Sequence, residues 1–404
     1  MKKFIKSATF KTGLAVFSML FGAGNTMLPI SVGVFSGTES FMGILGFLLT
    51  AVIIPLAGLF GVLLFDGDYR AFFNRTGKFA SFFLIFMSML ILGPLIAMPR
   101  IVALSYEMIE HFWPGLSISL FTSVFLIITF LLSYRENKIL DILGKYISPI
   151  LIISLIILII KGLMHPDALV DTGVTKFESF EHGIVKGYHT LDLFGTIFFA
   201  SIVLSILSNT TSGINVNNKT IATMGLKAGF IGTFLLAIIY IGLALVGTYN
   251  NTCLTHLSDA KQLIVISVSI LGNHGGWIVA TAILMACIST IIALAAVVAE
   301  YIQHEVTREK VSYLPALAIG LAATFLPSIL GVDRIMRFSE PLILIAYPVL
   351  ITMTFLNIAY KLFGFKPMKT PVYIVAILST IWYGHEYWFF VEIAKQKLFI
   401  LLGL

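Results

Sequence analysis

Residues 17–33 read FSMLFGAGNTMLPISVG, within a run, Thr12 to Thr38, that carries no charged side chain. A run of that length suits a membrane-spanning helix, which needs roughly 20 apolar residues. Gly22, Ala23, Gly24 and Asn25 interrupt it near its middle, and Pro29 follows. In hydrocarbon every backbone N–H and C=O needs an internal partner, so an unwound segment survives only where it lines a cavity or binds something. Pro29 is suited to restart a helix, because its missing N–H costs little in a first turn. The stretch then reads as two half-helices whose ends offer free carbonyls to a cation and free amides to an anion. Gly22 and Gly24 read equally well as small residues that let a second helix pack closely. From these residues alone both readings stand.

The rest of the chain decides the environment. Of its 404 residues, 58% are hydrophobic and 11% charged, with a mean hydropathy of +0.99. Soluble domains carry about 25% charged residues. The chain is therefore expected to be an all-α polytopic membrane protein in contact with the lipid bilayer, with spans near 12–35, 40–65, 79–104, 116–133, 139–161, 190–208, 223–249, 275–302, 312–330, 335–360 and 371–389. The C-terminal VEIAKQKLFILLGL carries Glu392, Lys395 and Lys397 and reads as an interfacial or half-crossing helix, which leaves 11 or 12 spans. The connection from Lys161 to His189 reads as the longest hydrophilic loop, and Asp259 to Gly275 as a segment with a surface helix.

The opening MKKFIKSATFK looks like a signal-peptide n-region, but the apolar run continues to Ser36 and more spans follow, so an uncleaved first span is expected. Lys2, Lys3, Lys6 and Lys11 precede that span, and Arg70, Arg75 and Lys78 follow the second. Loops on the opposite side hold few basic residues, among them Lys161, Lys176, Lys186 and Lys261. The positive-inside rule places the N-terminus in the cytoplasm, and the expected location is a bacterial cytoplasmic (inner) membrane. The net charge of +6 is spread over short loops, so it signals topology and not a nucleic-acid partner. Cys253 and Cys287 are isolated, and the eight histidines show no metal-binding spacing. No HExxH, GxSxG or P-loop pattern occurs, so nothing supports an enzyme, and no cofactor is expected.

Two further features bear on the opening stretch. An offset of 186 pairs Gly43, Gly46 and Gly61 of the second span with Gly229, Gly232 and Gly247 of the seventh, as an inverted repeat would. In the eighth span ACISTIIAL places Ala286, Ser289, Thr290 and Ala293 on one face, with two adjacent hydroxyls. Hydroxyls and carbonyls are hard ligands suited to a cation such as Na⁺, although membrane Ser and Thr also bond their own helix backbone. Ionisable residues near the membrane include Arg100, Asp141, Lys145, Asp192, Glu300 and Glu340, which read mainly as span-end groups.

The chain resembles the branched-chain amino acid:cation symporters, the BrnQ-like (LIVCS) family of the amino acid/polyamine/cation transporter superfamily. The matching stretches are FGAGN at 21–25 with Pro29, GPLIAMPR at 93–100 with SYE at 105–107, NKILDILGK at 137–145, GYHTLD at 187–192, and ACISTIIAL with AEY within 286–301. The resemblance implies a LeuT-like 5+5 inverted repeat with broken first and sixth helices. That would be one transmembrane domain over 1–404, with repeats near 12–161 and 190–360 and extra helices near 371–404. It implies a secondary transporter that imports leucine, isoleucine, valine or a related apolar amino acid, methionine included or not, with Na⁺ or H⁺ as coupling ion. The oligomeric state stays open.

Carried over by motif, the substrate site would comprise Gly22, Ala23, Gly24 and Asn25, with amides at Ala23 and Gly24 holding the carboxylate. A sixth-helix break near Phe199, Ala200 and Ser201 would complete it. The carbonyls of Ser18, Phe21 and Ala286 and the hydroxyls of Ser289 and Thr290 would hold the cation. Arg100 and Glu340 are candidates for a gate or a proton site, and a local pair of Glu340 with Arg337 is the other reading of that carboxylate. A membrane receptor or structural subunit whose glycines only pack is the alternative.

Overall fold

The computed structural model describes residues 2–134, 148–164, 166, 169–211, 218–251, 254 and 256–384, and these are helical apart from their connections. The first span is two helices, α1 (Lys2–Leu20) and α2 (Ala23–Ser36). α3 (Ser40–Leu48) runs through a π turn into α4 (Ile54–Leu63), and the short α5 (Tyr69–Asn74) follows. The third span joins α6 (Lys78–Leu90) to α7 (Ala97–Glu110) across a kink where Gly93 leaves helical geometry beside Pro94. α8 (Ile118–Ser133) and α9 (Ser148–Met164) come next.

The second half mirrors this order. α10 (Lys176–Tyr188) and α11 (Asp192–Thr211) form another broken span, followed by α12 (Asn218–Tyr249). α13 (Asp259–Tyr301) turns at Gly272, whose φ of 68° suits glycine, so a surface helix leads into a long span. α14 (Tyr313–Ser328), α15 (Val332–Phe363) and α16 (369–384) complete the described chain. Asp141, Lys145, Cys253 and the C-terminal helix lie outside the described residues.

Among the described residues, six segments, including Gly24–Leu63, Thr220–Tyr249 and Val332–Phe363, are long and apolar enough to cross a bilayer. Their surfaces expose Phe82, Phe230, Phe234 and Phe355, and the shorter apolar helices α8 and α14 expose Leu131 and Leu326. An apolar surface of this extent suits hydrocarbon and not water. The protein is an integral membrane protein.

Inside, small residues set the helix spacing. A Cβ on Gly33 would overlap the Ala244 carbonyl, and one on Gly247 would overlap the Ile30 carbonyl, so α2 and α12 touch backbone to backbone. Gly46 lies against the Phe180 carbonyl and Ile184 amide of α10, while Gly232 lies against the Gly13 carbonyl and Phe17 amide of α1. Gly46 and Gly232 are the pair matched at the 186 offset, and they make the same contact in the two halves. The partners Gly13 and Phe17 map onto Phe180 and Ile184 at an offset of 167, the separation that also relates Asn25 to Asp192. The inverted repeat is thus visible in matched contacts.

Two expectations need correction. The segment 176–188, read as hydrophilic loop, is the first half of the sixth span. Thr175 and Glu178 cap its start reciprocally, with Glu178 Oε2 accepting from the Thr175 N–H at 2.8 Å. The helix buries Ser179, Gly183 and Gly187 against α3, and its charges sit on the other face. The break therefore lies at residues 189–191, not near Ala200, and α11 runs unbroken through Phe199, Ala200 and Ser201. Pro29, for its part, lies inside α2, whose first turn begins at Ala23.

Candidate functional site

The first-span break is short. Gly22 is extended (φ −103°, ψ −168°), its N–H donates to the Leu20 carbonyl at 2.9 Å, and Asn25 N–H donates back to the Gly22 carbonyl at 3.1 Å. The amides of Ala23 and Gly24 stand in the first turn of α2, where helix geometry provides no acceptor within the helix. Free amides at the positive end of a 14-residue helix favour an anion.

On the other side of the break the carbonyls face α13. Ser289 Oγ donates to the Ser18 carbonyl at 3.3 Å and to the Ala286 carbonyl at 2.8 Å, and Thr290 Oγ1 donates to the Phe21 carbonyl at 3.3 Å. Ser18, Ser289 and Ala286 are fully buried, and the Ser18 hydroxyl has no partner of its own. The structure thus gathers all five residues expected at a cation site, and adds the Ser18 hydroxyl. Oxygens that share one hard cation at about 2.3–2.6 Å stand about 3.3–3.7 Å apart in an octahedral arrangement. The 3.3 Å separations between the α13 hydroxyls and the first-span carbonyls fall in that range.

The sixth-span break carries what sequence reasoning missed. Leu191 takes a positive φ of 63°, uncommon for a branched residue and a mark of a constrained turn. Thr190 Oγ1 donates to the Gly187 carbonyl at 2.8 Å and accepts from the Asp192 N–H at 3.3 Å, so one hydroxyl ties off both helix ends. Asp192 is 3% exposed. Asn25 Nδ2 donates to its Oδ1 and Oδ2 at 3.0 and 2.9 Å, the Tyr240 hydroxyl donates to Oδ2 at 3.0 Å, and Asn25 also touches that hydroxyl. Phe21 stacks on Tyr240 with ring centroids 6.2 Å apart, fixing the ring from the first break.

Arg100 arrives from α7, also 3% exposed. It donates to the His189 carbonyl at 2.5 Å, its Nε has no partner, and its Nη2 would stand 3.0 Å from a Cβ on Gly24. A cavity of about 30 Å³ lies among Gly22, Gly24, Asn25, Arg100, Asp192 and Thr290. That is room for water and not for an amino acid, so the site is contracted in this conformation.

The remaining expected residues divide. Phe199 reaches the cavity wall, but Ala200 and Ser201 are ordinary helical positions, Ser201 Oγ donating to the Phe198 carbonyl at 3.1 Å. Glu340 is exposed on α15, and among the described residues it pairs with neither Arg100 nor Arg337, so the gate drawn from Arg100 and Glu340 is not formed. Asp192 had been read as a span-end carboxylate, because charges on 176–188 hid the helix before it. The available signal was the buried Gly183 and Gly187 spacing, which continues a helical face up to GYHTLD.

Known proteins resemble this chain in sequence and in fold. A family described as "Branched-chain amino acid transport protein" matches residues 5–398. Proteins of Staphylococcus aureus strains bovine RF122 and USA300, named as branched-chain amino acid carrier proteins, are 31% identical over 396 residues, covering 92% of this chain and 87% of theirs. Among solved structures, the nucleobase-cation-symport-1 family transporter MHP1, in a closed conformation with bromovinylhydantoin bound, superposes with a TM-score of 0.60 over 93% of this chain and 83% of its own at 12% identity. The Eremococcus coleocola manganese transporter does so with a TM-score of 0.61 over 95% and 86% at 14% identity. At such identities the likeness is one of fold, and it is the LeuT-like fold.

Proposed function

The chain belongs to the branched-chain amino acid transport protein family, and from that premise we propose that it imports a branched-chain or related apolar amino acid with Na⁺ by alternating access, in the cytoplasmic membrane with its N-terminus inside. The observation that carries this reading is the meeting of the Ser289 and Thr290 hydroxyls with the Ser18 and Phe21 carbonyls at the first-span break, next to a cavity bounded by both breaks. The oxygen set contains no carboxylate, which suits a monovalent metal cation better than a proton. The amides of Ala23 and Gly24 take the substrate carboxylate. Its aliphatic side chain packs among Leu20, Leu92, Ile101, Phe199 and Leu294 on the cavity wall.

Coupling follows from shared backbone. The carbonyls that hold the cation and the amides that hold the carboxylate belong to consecutive turns of one broken span, so filling one subsite orders the other. On the side assigned to the exterior, Asp259 accepts from Lys186 at 2.5 Å and from Ser31 at 2.7 Å. This contact ties the surface helix before Gly272 to the outer halves of both broken spans. It fastens the exterior route in this conformation, and opening requires its release.

Competition tests the substrate reading. Leucine uptake by the purified protein in liposomes is expected to be inhibited by isoleucine and valine and unaffected by aspartate or lysine, because a charged side chain has no partner on that apolar wall. Equal inhibition by the charged amino acids would overturn it.

A further inference from the structure

Asp192 and Arg100 are a buried acid and a buried base on one cavity that the protein does not join. Among the described residues, no Lys, Arg or His nitrogen lies within ion-pair distance of the Asp192 carboxylate. Arg100 instead donates to the His189 carbonyl and leaves Nε without an acceptor. A carboxylate offers about four lone-pair sites, and the bonds from Asn25 and Tyr240 to Asp192 use three. An uncompensated charge inside a membrane protein is costly, and ionisable residues there mark function.

The repeat sharpens this. Asn25 and Asp192 are equivalent positions of the two broken spans, 167 residues apart, each in the first turn of the second half-helix. They meet as amide and carboxylate, so the two halves differ by one negative charge at the cavity. The donors Asn25 and Tyr240 are neutral: they orient the carboxylate without cancelling it.

We infer that Asp192 is the subsite for the substrate's α-ammonium, with Arg100 beside Gly24 reinforcing the carboxylate subsite, so that the transporter selects a zwitterion by supplying the charge opposite to each end. The inference rests on the transporter reading above and adds the residue that requires a protonated amine. An acid that lacks the amine leaves Asp192 unpaired against the cavity and is rejected, whereas hydrophobic contacts alone would accept it.

The test is equilibrium binding to the purified full chain of leucine and of 4-methylpentanoate, which is leucine without its amino group, each competing with radiolabelled leucine. Wild type is expected to prefer leucine by about 100-fold or more, as sites built to pair a polar group reject analogues that lack it. Asp192→Asn is expected to reduce that preference by about tenfold or more, with leucine weakened and the acid not. Asp192→Glu, which keeps the charge, is expected to weaken leucine and retain the preference. A wild type that binds both equally overturns the inference whether or not the variants fold. So does an Asp192→Asn protein in which both ligands weaken alike, the result of a structural role. Unchanged leucine binding with loss of proton-driven uptake also overturns it, in favour of a proton carrier. A wild type that binds no neutral amino acid removes the transporter reading and this inference together.

Discussion

Replacing Ser289 and Thr290 together by alanine is expected to raise the Na⁺ concentration for half-maximal leucine uptake by at least about tenfold. Each hydroxyl faces a carbonyl of the broken span at 3.3 Å. A polar contact to a charged group contributes about 1.5–3 kcal/mol, and about 1.4 kcal/mol corresponds to tenfold in affinity. The two losses need not add, since both ligands serve one ion. Ser205→Ala is the control, because Ser205 is exposed on α11. A Na⁺ titration of initial uptake rates gives the comparison. Equal half-saturation in the double variant, Ser205→Ala and wild type would place the cation elsewhere.

Gly24→Val is expected to weaken leucine binding by about 100-fold, the equivalent of roughly 3 kcal/mol and within the cost of forcing extra volume into a packed site. Any Cβ there stands 3.0 Å from Arg100 Nη2 and 3.4 Å from Leu28 Cδ1, so the two branches of valine add volume beside the arginine at the cavity. Gly33→Ala makes the contrast. Its Cβ would meet the Ala244 carbonyl, far along α2 from the break, so thermal stability should fall as the α2–α12 contact spreads. Binding isotherms and unfolding curves of the two variants separate a ligand glycine from a packing glycine. Retained leucine affinity in Gly24→Val would remove the first break from the substrate site.

The opening stretch was legible because its signal is local: a charge-free run interrupted by glycines can be seen without knowing what it faces. The hydroxyls of Ser289 and Thr290 were legible for a related reason, as adjacent polar groups on the small-residue face of an apolar helix. The sixth span was not. Its first half carries Glu178, Glu181, His182 and Lys186 away from its buried glycines, and composition weights the charges. Hydropathy therefore started that span at residue 190, which turned Asp192 into an end group and pushed the expected break about ten residues too far, to Ala200. Arg100 stands out in the sequence as an ionisable residue among prolines, but its partner is not legible there: the gate with Glu340 was one candidate, and only the tertiary structure shows that Arg100 turns to the His189 carbonyl.

The two readings of the glycines are both realised, at different positions. Gly33, Gly46, Gly183 and Gly247 bring helices into backbone contact, whereas Gly22 and Gly24 border the cavity, facing Thr290 and Arg100. A break and a packing stripe use the same residue type, and what distinguishes them is whether the amides beside it are already bonded.

Ion-gradient-driven uptake measures the central claim most directly. Purified protein in liposomes, supplied with radiolabelled leucine, is exposed separately to an inward Na⁺ gradient at uniform pH and to a pH gradient without Na⁺. Leucine is predicted to accumulate above equilibrium under the Na⁺ gradient and to collapse to equilibrium when that gradient is dissipated. Accumulation driven by the pH gradient alone, or no accumulation under either, would contradict the account.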